Sequence, residues 1–306
     1  MATTPLLICV VGPTAIGKTT LGIAIATHFS TEILSADSRQ FFKEMTIGTA
    51  VPSAEELAAV PHHFIQSRSL FDAYNVGDFE RDALAKLKEL FKEHSVVVLV
   101  GGSGLYVDAV VKGLDTFPKV SETIRRQLTK EFKELGLLSL QQELKEKDPV
   151  YYERVDLHNH HRVIRALEII RGTGKPFSSF LHQGAAQRNF NTIYVGLTGE
   201  RALVYDRINQ RVDLMIAEGL LEEAKDLYPH KDLNALQTVG YRELFQFFDG
   251  TISKDEAISE IKKNTRRFAK RQGTWFRKNE AIKWFDYTTP VSEIFAFIEH
   301  KNATPK

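Results

Sequence analysis

Residues 12–19 read GPTAIGKT and carry the clearest chemical signature in the chain. The spacing Gly-x4-Gly-Lys-Thr is that of a P-loop, whose glycines let the backbone wrap a phosphate with successive N–H groups pointing inward. In such a loop Lys18 supplies positive charge to the phosphate oxygens, and the Thr19 hydroxyl can ligate Mg²⁺. We therefore predict a polyphosphate site with Mg²⁺, formed by Gly12, Pro13, Thr14, Ala15, Ile16, Gly17, Lys18 and Thr19.

A P-loop shows only that a polyphosphate is held, and a second feature decides what is done with it. Nucleoside triphosphatases usually add an apolar strand that ends in Asp, whose carboxylate supports the metal. The matching run here, residues 96–100, is followed instead by Gly101, Gly102 and Ser103. This argues against a phosphate-cleaving motor or switch, and it leaves small-molecule kinases open.

Asp37 follows the short apolar pair Ile33-Leu34. In a doubly wound sheet the end of that strand faces the P-loop. A carboxylate there could support a metal, act as a general base or bind substrate by hydrogen bonding. Asp also starts Asx turns and caps helices, so a purely local role stays open.

Strands and helices must position these loops, and the apolar residues indicate where they lie. Residues 6–11 (LLICVV), 96–100 (VVVLV) and 193–197 (IYVGL) are typical of strands buried on both faces. Apolar residues recur at helical spacing in 19–29 and 79–92. Strands alternating with helices predict an α/β fold with a P-loop NTPase-like parallel sheet flanked by helices. Ligands of such sheets bind at the carboxyl ends of the strands, where all three loops lie.

A different pattern follows in the middle of the chain. Residues 121–171 are highly charged, have helical periodicity and contain no strand candidate. We predict a core of residues 1–115 and 190–306, interrupted by an all-α insertion over 116–189.

Composition excludes several other classes of protein. With 43% hydrophobic and 26% charged residues the chain is typical of globular proteins. The single cysteine, Cys9, allows neither an internal disulfide nor a cysteine-based zinc site, and we predict that it is a buried packing residue. The apolar run around it is too short to span a membrane, so we expect a cytoplasmic protein with no membrane partner.

The net charge is only +1, so evidence for a nucleic-acid partner must come from where the charges lie. Residues 262–283 carry nine Lys or Arg and one acid. Three of these cations recur at i, i+4 spacing on one helix face: Lys262, Arg266 and Lys270. With Trp275 and Phe276 nearby for stacking, this basic stripe favours contact with RNA over a merely solvated helix.

Together these motifs resemble the bacterial tRNA dimethylallyltransferases (tRNA isopentenyl transferases), over residues 6–284. The matching segments are GPTAIGKT at 12–19, SADSRQFFKEMTIGTAVP at 35–52, DFERDAL at 78–84, VGGSGLYVDAVVKGL at 100–114, HRVIRALEI at 161–169, RINQRVDLMIAEGL at 207–220, TVGYREL at 238–244 and TRRFAKRQGTWFRK at 265–278. Their number and order make the resemblance specific.

The resemblance implies transfer of a dimethylallyl group from dimethylallyl diphosphate to N6 of an adenosine, with release of diphosphate. That adenosine lies immediately 3′ of the anticodon in tRNAs that read UNN codons. Asp37 matches the family's general base, and Ser103 matches a second contact to the target base. Lys18, Arg207 and Arg211 would bind the diphosphate, with Lys18 and Arg211 stabilising charge on the leaving group.

The resemblance also implies a tRNA partner, bound through its anticodon stem-loop, and we expect the protein to act as a monomer. The matching positions are Asp37, Ser38, Arg39, Gln40, Ser103, Arg125, His161, Arg162, Val163, Ile164, Arg165, Lys270 and Arg271. Ser103 stands where the family usually has Thr and keeps the hydroxyl, whereas Gln66 stands where Asp is common. No C-terminal zinc-finger pattern is present, as in bacterial members.

Three other functions fit part of the pattern. A small-molecule kinase would use the P-loop for ATP, but it does not account for the basic stripe or the insertion. A P-loop RNA-binding module without chemistry leaves Asp37 unexplained. A cytokinin-type adenylate prenyltransferase shares the chemistry but acts on a free nucleotide, and the basic stripe and insertion favour tRNA.

Overall fold

The computed structural model describes residues 4–181 and 186–303, and these form one six-stranded sheet in which all neighbouring strands are parallel. The strands are β1 Leu6–Val11, β2 Ile33–Ser35, β3 His62–His63, β4 Val96–Val100, β5 Asn191–Thr198 and β6 Ile282–Asp286. Their order across the sheet is β3-β2-β4-β1-β5-β6. The predicted α/β fold with a parallel sheet is confirmed.

Strand β1 lies inside the sheet between β4 and β5, and all of its side chains are buried. Successive side chains of a strand face opposite sides of the sheet. One hydrophobic cluster therefore contains Leu7, Cys9 and Val11, and another contains Leu6, Ile8 and Val10. Because both faces of the strand are buried, its sequence is a continuous apolar run. Burial raises the pKa of the Cys9 thiol, which confirms Cys9 as a packing residue.

Helices cover both faces of the sheet. In the described ranges they are α1 Lys18–His28, α2 Ala54–Ala59, α3 Val76–Leu90, α4 Gly104–Lys112, α5 Glu122–Leu135, α6 Leu137–Lys147, α7 Pro149–Tyr152, α8 His160–Thr173, α9 Arg201–Ala217, α10 Leu220–Leu227, α11 Tyr241–Phe248, α12 Lys254–Phe276 and α13 Val291–Ala303. Helices α1 and α13 pack on one face, and α3, α4, α10 and α11 pack on the other. Within these ranges no helix has the length and apolar character needed to cross a membrane.

The chain divides into two compact units. The first, Met1–Lys112 together with Gln187–Lys306, contains the sheet. The second, Gly113–Ala186, contains α5 to α8 and has a hydrophobic core of its own. Each unit therefore buries its own apolar side chains.

In the second unit, α5 and α6 both pack on α8, and polar contacts join these elements. The Arg171 guanidinium of α8 contacts Glu131 of α5 at 2.7 Å and Glu143 of α6 at 2.5 Å. The Asp148 carboxylate is 1% exposed and accepts hydrogen bonds from the Tyr151 N–H at the start of α7 and from Ser178. Hydrogen bonds to charged groups of this kind are among the stronger ones in proteins.

Two leucines of α6 provide a matched test of this core, because Leu144 is fully buried and Leu138 is 66% exposed. We expect Leu144→Ala to lower the opening free energy of the α5, α6 and α8 amides by about 2–5 kcal/mol, since it leaves a cavity. Amide hydrogen exchange of the full chain measures this. Leu138→Ala should change it by less than about 0.5 kcal/mol, and equal effects would contradict the packing.

Candidate active site

The P-loop joins the end of β1 to the start of α1, and its geometry requires glycine at two positions. Gly12 has φ of 148°, and a Cβ there would lie 2.6 Å from the backbone oxygen of Leu197 on β5. Gly17 has φ of 105° and is the N-cap of α1. Both values lie in a region that L side chains rarely adopt. The loop presents the N-terminus of α1, whose partial positive charge favours an anion.

Lys18 begins α1, and its ammonium Nζ donates to the Pro13 carbonyl oxygen at 2.7 Å. Burial lowers the pKa of Lys18 to about 8, the Asp37 carboxylate acts in the opposite direction, and Arg211 lowers it further. A cation held in this way gains a favourable partner when phosphate oxygens arrive.

A cavity of about 430 Å³ lies in front of the P-loop. One wall is the loop itself, including Thr14, Lys18 and Thr19, and another is α9, including Arg207 and Arg211. Burial lowers the pKa of Arg211, and the neighbouring Arg207 adds to this effect. Cations from two elements therefore converge on one space, where they can contact a polyanion, and Glu56 and Glu218 also line it.

The remaining P-loop residues shape the loop. Ile16 is 2% exposed and packs in the hydrophobic core, so its side chain anchors the loop to that core. Ala15 lines the cavity with φ of 63°, and Pro13 contributes its carbonyl to Lys18. Their expected contact with phosphate is therefore through the backbone.

Asp37 lies just after β2. It forms a local turn and also lines a cavity, so the two placements predicted for it are both present. Its Oδ1 accepts the Arg39 N–H at 3.2 Å, which forms an Asx turn. The same residue lines the large cavity and a smaller neighbouring cavity of about 70 Å³. Among the described residues no hydrogen bond reaches Oδ2, so the turn orients the carboxylate and leaves one oxygen available.

The smaller cavity has a more apolar lining, which includes Ile208, Val212, Leu220, Ile261 and Phe268. The Arg39 guanidinium also lines it and lies 4.3 Å from the centroid of the Phe268 ring. Burial lowers the pKa of Arg39, and Asp37 opposes that effect. Arg271 lies over the same ring at 5.6 Å, so one aromatic ring fixes two cations beside this cavity.

Ser103 and Ser38 connect two neighbouring strand-end loops. The Ser103 Oγ accepts the Ser38 N–H at 3.2 Å and lies 3.1 Å from the Ser38 Oγ. Close by, the Gln40 side chain donates to the Ala50 carbonyl oxygen at 2.8 Å. The structure thus brings the predicted residues 37–40 and Ser103 together at the ends of β2 and β4.

Glu223 of α10 is a functional candidate that sequence reasoning missed. Its carboxylate accepts hydrogen bonds from the N–H groups of Thr46, Ile47 and Gly48 at 2.8–2.9 Å, and from the Tyr241 hydroxyl at 2.6 Å. This holds a loop that lines both cavities. The three N–H donors lie more than 170 positions from Glu223, so no local pattern signals these contacts.

Gln272 of α12 was also missed, although it lies in one of the segments that carry the family resemblance. It is 6% exposed and hydrogen-bonds both the P-loop at Thr14 and the β4 loop at Gly102. In the sequence it follows Lys270 and Arg271, and no local pattern distinguishes its amide as a contact between loops.

Gln66 departs from the family pattern, and its contacts show what the amide does. Its N–H donates to the Gln40 carbonyl oxygen, and its Nε2 donates to the Thr46 hydroxyl and to the Lys43 carbonyl oxygen. An ionised Asp could accept from a hydroxyl but could not donate to that carbonyl. Gln66 therefore connects the segment after β3 to the loop that Glu223 holds.

The predicted Mg²⁺ depends on oxygen donors in the large cavity. Thr19 and Asp37 both line it and carry the oxygen ligands that Mg²⁺ prefers. The described residues contain no group of three or more His, Cys, Asp or Glu that could hold a metal on its own. Since Mg²⁺ is commonly held by one or two protein oxygens together with substrate phosphates and water, the donors present fit an ion bound with the diphosphate.

The basic stripe of α12 is placed differently from its prediction. The Lys262 ammonium forms an ion pair with Asp213 of α9 at 2.6 Å, and Arg266 donates to Asn209 of α9 at 2.7 Å. This part of the basic face thus packs on α9, and RNA contact by these two cations stays a prediction. The exposed cations of residues 262–283 are Arg267, Lys270, Arg271, Arg277, Lys278 and Lys283.

The two aromatic residues near the end of α12 also differ from each other. Phe276 is 3% exposed and belongs to the hydrophobic core, so the prediction that it stacks on a base is wrong. Trp275 is 38% exposed, and its Nε1–H donates to Asp108 at 2.8 Å. Only Trp275 keeps an accessible ring.

In the second unit, several predicted RNA contacts lie together. Arg125 and Arg165 both contact the same oxygen of Glu168, at 3.3 and 3.0 Å. Burial lowers the pKa of His161, and the adjacent His160 and Arg125 add to the effect.

The remaining residues predicted in this segment divide into exposed and buried positions. Arg162 is exposed. Val163 and Ile164 are 0% and 5% exposed and pack in the core of the unit. The helical period turns these two side chains inward, so their predicted tRNA contact would have to use the backbone.

A P-loop at the carboxyl edge of a parallel sheet, with a carboxylate beside it, defines a P-loop α/β protein. Residues 40–279 match the IPP transferase family. The tRNA dimethylallyltransferase of Christiangramia forsetii is 62% identical, over 96% of this chain and 98% of that one. The tRNA dimethylallyltransferase of Flavobacterium johnsoniae is 56% identical, over 95% of this chain and 96% of that one. A tRNA isopentenylpyrophosphate transferase from Bacillus halodurans has 39% identity and a TM-score of 0.72, covering 97% of this chain and 96% of that one. The chain belongs to the IPP transferase family, which confirms the resemblance.

The lowered pKa of Lys18 predicts a pH dependence for binding of pyrophosphate. The ammonium must be protonated to attract the anion, and the bound anion raises its pKa. Affinity should therefore be greatest below pH of about 8 and fall about tenfold per pH unit above it. Isothermal titration calorimetry with pyrophosphate measures this.

Lys18→Arg is the control for that titration, because its guanidinium stays charged across the same range and the ligand's own ionisation is common to both proteins. The fall above pH of about 8 should be weaker in this variant. Identical slopes would show that Lys18 does not titrate there.

Glu223→Gln should release the loop that the carboxylate holds, because an amide N–H₂ would face backbone N–H donors. A lost hydrogen bond to a charged group is worth about 1.5–3 kcal/mol, so exchange of the amides of residues 46–48 should accelerate about tenfold or more. Hydrogen-exchange mass spectrometry measures it. Glu222→Gln, at the exposed neighbouring position, should leave these amides unchanged.

Proposed function

We propose that this protein is a tRNA dimethylallyltransferase that moves the dimethylallyl group of dimethylallyl diphosphate to N6 of the adenosine 3′ of the anticodon, in tRNAs that read UNN codons. The relatives that carry this name match it over nearly the whole chain. The observation that carries the proposal is the place of Asp37, which lines both the P-loop cavity and a smaller, more apolar one. The first suits a diphosphate and the second suits an extruded base.

The leaving group explains why a P-loop serves a reaction at carbon. The bond between the allylic carbon and the diphosphate oxygen breaks, so negative charge grows on the diphosphate. The P-loop N–H groups, Lys18 and Arg211 with Arg207 surround the space where that charge develops, and preorganised donors stabilise it strongly. Mg²⁺ bound with the Thr19 hydroxyl would supply further neutralisation of the diphosphate.

The attacking nitrogen requires a base. The lone pair of an adenine N6 is delocalised into the ring, so a proton must leave as the carbon–nitrogen bond forms. The Asp37 carboxylate takes this proton, and the Asx turn to Arg39 leaves Oδ2 available for it. Ser103, hydrogen-bonded to Ser38 beside Asp37, is the second contact to the base.

A base in such a cavity has left its stack, so the RNA around it needs its own contacts. Near the P-loop a cavity of about 390 Å³ is lined by Arg201, Lys270 and Arg277 with the rings of Tyr205 and Trp284. We propose that these groups, with Arg271, bind the anticodon stem-loop. In the second unit we assign the same role to Arg125, His161, Arg162 and Arg165.

All of the proposed residues belong to one chain, and we propose that the protein acts as a monomer in the cytoplasm.

A prenylation assay tests the proposed function and the alternative functions together. The protein is incubated with dimethylallyl diphosphate and Mg²⁺, and with either unmodified tRNA or AMP, and the products are examined by mass spectrometry. We expect a prenyl mass gain on tRNA. A gain on AMP alone would identify a nucleotide prenyltransferase, and no gain on either would refute the proposal.

Asp37→Ala should lower kcat by about 100- to 10,000-fold, because the general base is lost. Binding of pyrophosphate should stay within about threefold of wild type, since the P-loop cations remain. Single-turnover prenylation and calorimetry measure the two effects. Asp226→Ala, at an exposed position of α10, is the control and should keep normal turnover.

Lys270→Ala and Arg271→Ala should each weaken tRNA binding and reduce the slope of log K against log salt by about 1, because each removes a phosphate contact. Filter binding at several salt concentrations measures the slopes. Lys254→Ala at the other end of α12 is exposed and should leave the slope unchanged. Unaltered slopes in all three variants would place the RNA elsewhere.

A further inference from the structure

The side-chain amide of Gln272 occupies a position that the roles assigned above leave unexplained. It lies on α12 and lines the smaller cavity together with Asp37. Its Oε1 accepts the Thr14 N–H at 2.9 Å, and its Nε2 donates to the Gly102 carbonyl oxygen at 3.0 Å. A backbone N–H can only donate and a carbonyl can only accept, so one orientation of the amide satisfies both partners.

The two partners belong to segments with different tasks. Thr14 lies in the P-loop and lines the larger cavity, which is the proposed diphosphate site. Gly102 precedes Ser103, whose hydroxyl is hydrogen-bonded to Ser38 beside Asp37. A chain of hydrogen bonds and backbone therefore runs from the diphosphate loop through Gln272 to the loop that carries the general base.

Gly102 is part of the same arrangement. A Cβ at this position would lie 2.2 Å from Gln272 Nε2 and 3.6 Å from Lys18 Nζ. Only glycine lets the amide reach the carbonyl, and the same close approach places the Lys18 ammonium beside it. The β4 loop and α12 are thus tightly packed at this point, and the Lys18 ammonium lies near it.

We propose that Gln272 is a positioning residue, which fixes the P-loop relative to the Asp37 loop so that the allylic carbon and the attacking nitrogen meet in line. The inference rests on the proposed prenyl transfer. The rate of such a reaction depends steeply on alignment, because a displacement of about 1 Å at the reacting atoms lowers it about 100-fold.

The first test is Gln272→Met, which keeps the length of the side chain and removes both hydrogen bonds. We expect kcat to fall about 10- to 100-fold, while the Kd for unmodified tRNA stays within about twofold. Gln246→Met, at an exposed glutamine of α11, is the matched control and should keep normal kinetics.

The second test is Gln272→Glu, which separates positioning from simple packing. When the new side chain is ionised, it still accepts the Thr14 N–H, but its oxygen is repelled by the Gly102 carbonyl oxygen. When it is protonated, it donates to that carbonyl and restores both hydrogen bonds. The charged groups that face it are Lys18, Asp37, Arg39 and Arg211, with Arg271 on its own helix. The ratio of variant to wild-type kcat, measured at each pH, should therefore rise severalfold as the pH is lowered.

Wild-type prenylation of tRNA is measured first, so that failure of the proposed function is distinguished from failure of this inference. With an active wild type, a normal kcat for Gln272→Met would overturn the inference. A loss confined to tRNA affinity would do the same, because it would assign Gln272 to RNA contact. If Gln272→Met fails to fold, a pH-independent ratio for Gln272→Glu decides against positioning.

Discussion

The Lys18 ammonium, held away from bulk water by its own P-loop, is the constraint around which the rest of the site is arranged. Burial lowers its pKa to about 8, and the Asp37 carboxylate opposes that effect. Arg207 and Arg211 bring further positive charge to the opposite wall of the cavity. Asp37, Glu56 and Glu218 line the same cavity. A diphosphate would add charge-assisted hydrogen bonds to the three cations.

The parallel sheet explains why these groups meet although they are far apart in sequence. Strands β2, β4, β1 and β5 are successive neighbours, and each ends at the same edge. Their following segments carry Asp37, Ser103, the P-loop and the helix with the two arginines, so the order of the strands sets the order of the chemical groups. Asp37, the proposed general base, therefore lines the same cavity as the P-loop.

The helices on the sheet also hold the loops of the site. Residues 46–48 have no regular secondary structure, and the Glu223 carboxylate accepts their N–H groups. Gln272 does the same for the first part of the P-loop and for the glycine loop after β4. Buried polar groups with both partners satisfied rigidify a site, which suits a reaction that depends on alignment.

The sequence by itself determined the P-loop, the buried strands β1 and β4, the position of Asp37 and the class of fold. Each of these follows from residues that are neighbours in the chain, where glycine spacing, apolar runs and strand ends are directly readable. Only the tertiary structure decided which face of α12 binds α9, that Val163 and Ile164 turn inward, and that Glu223 and Gln272 hold the site loops. The loop contacts made by Glu223 and Gln272 join residues between 170 and 258 positions apart, and packing, not local pattern, selects the partners.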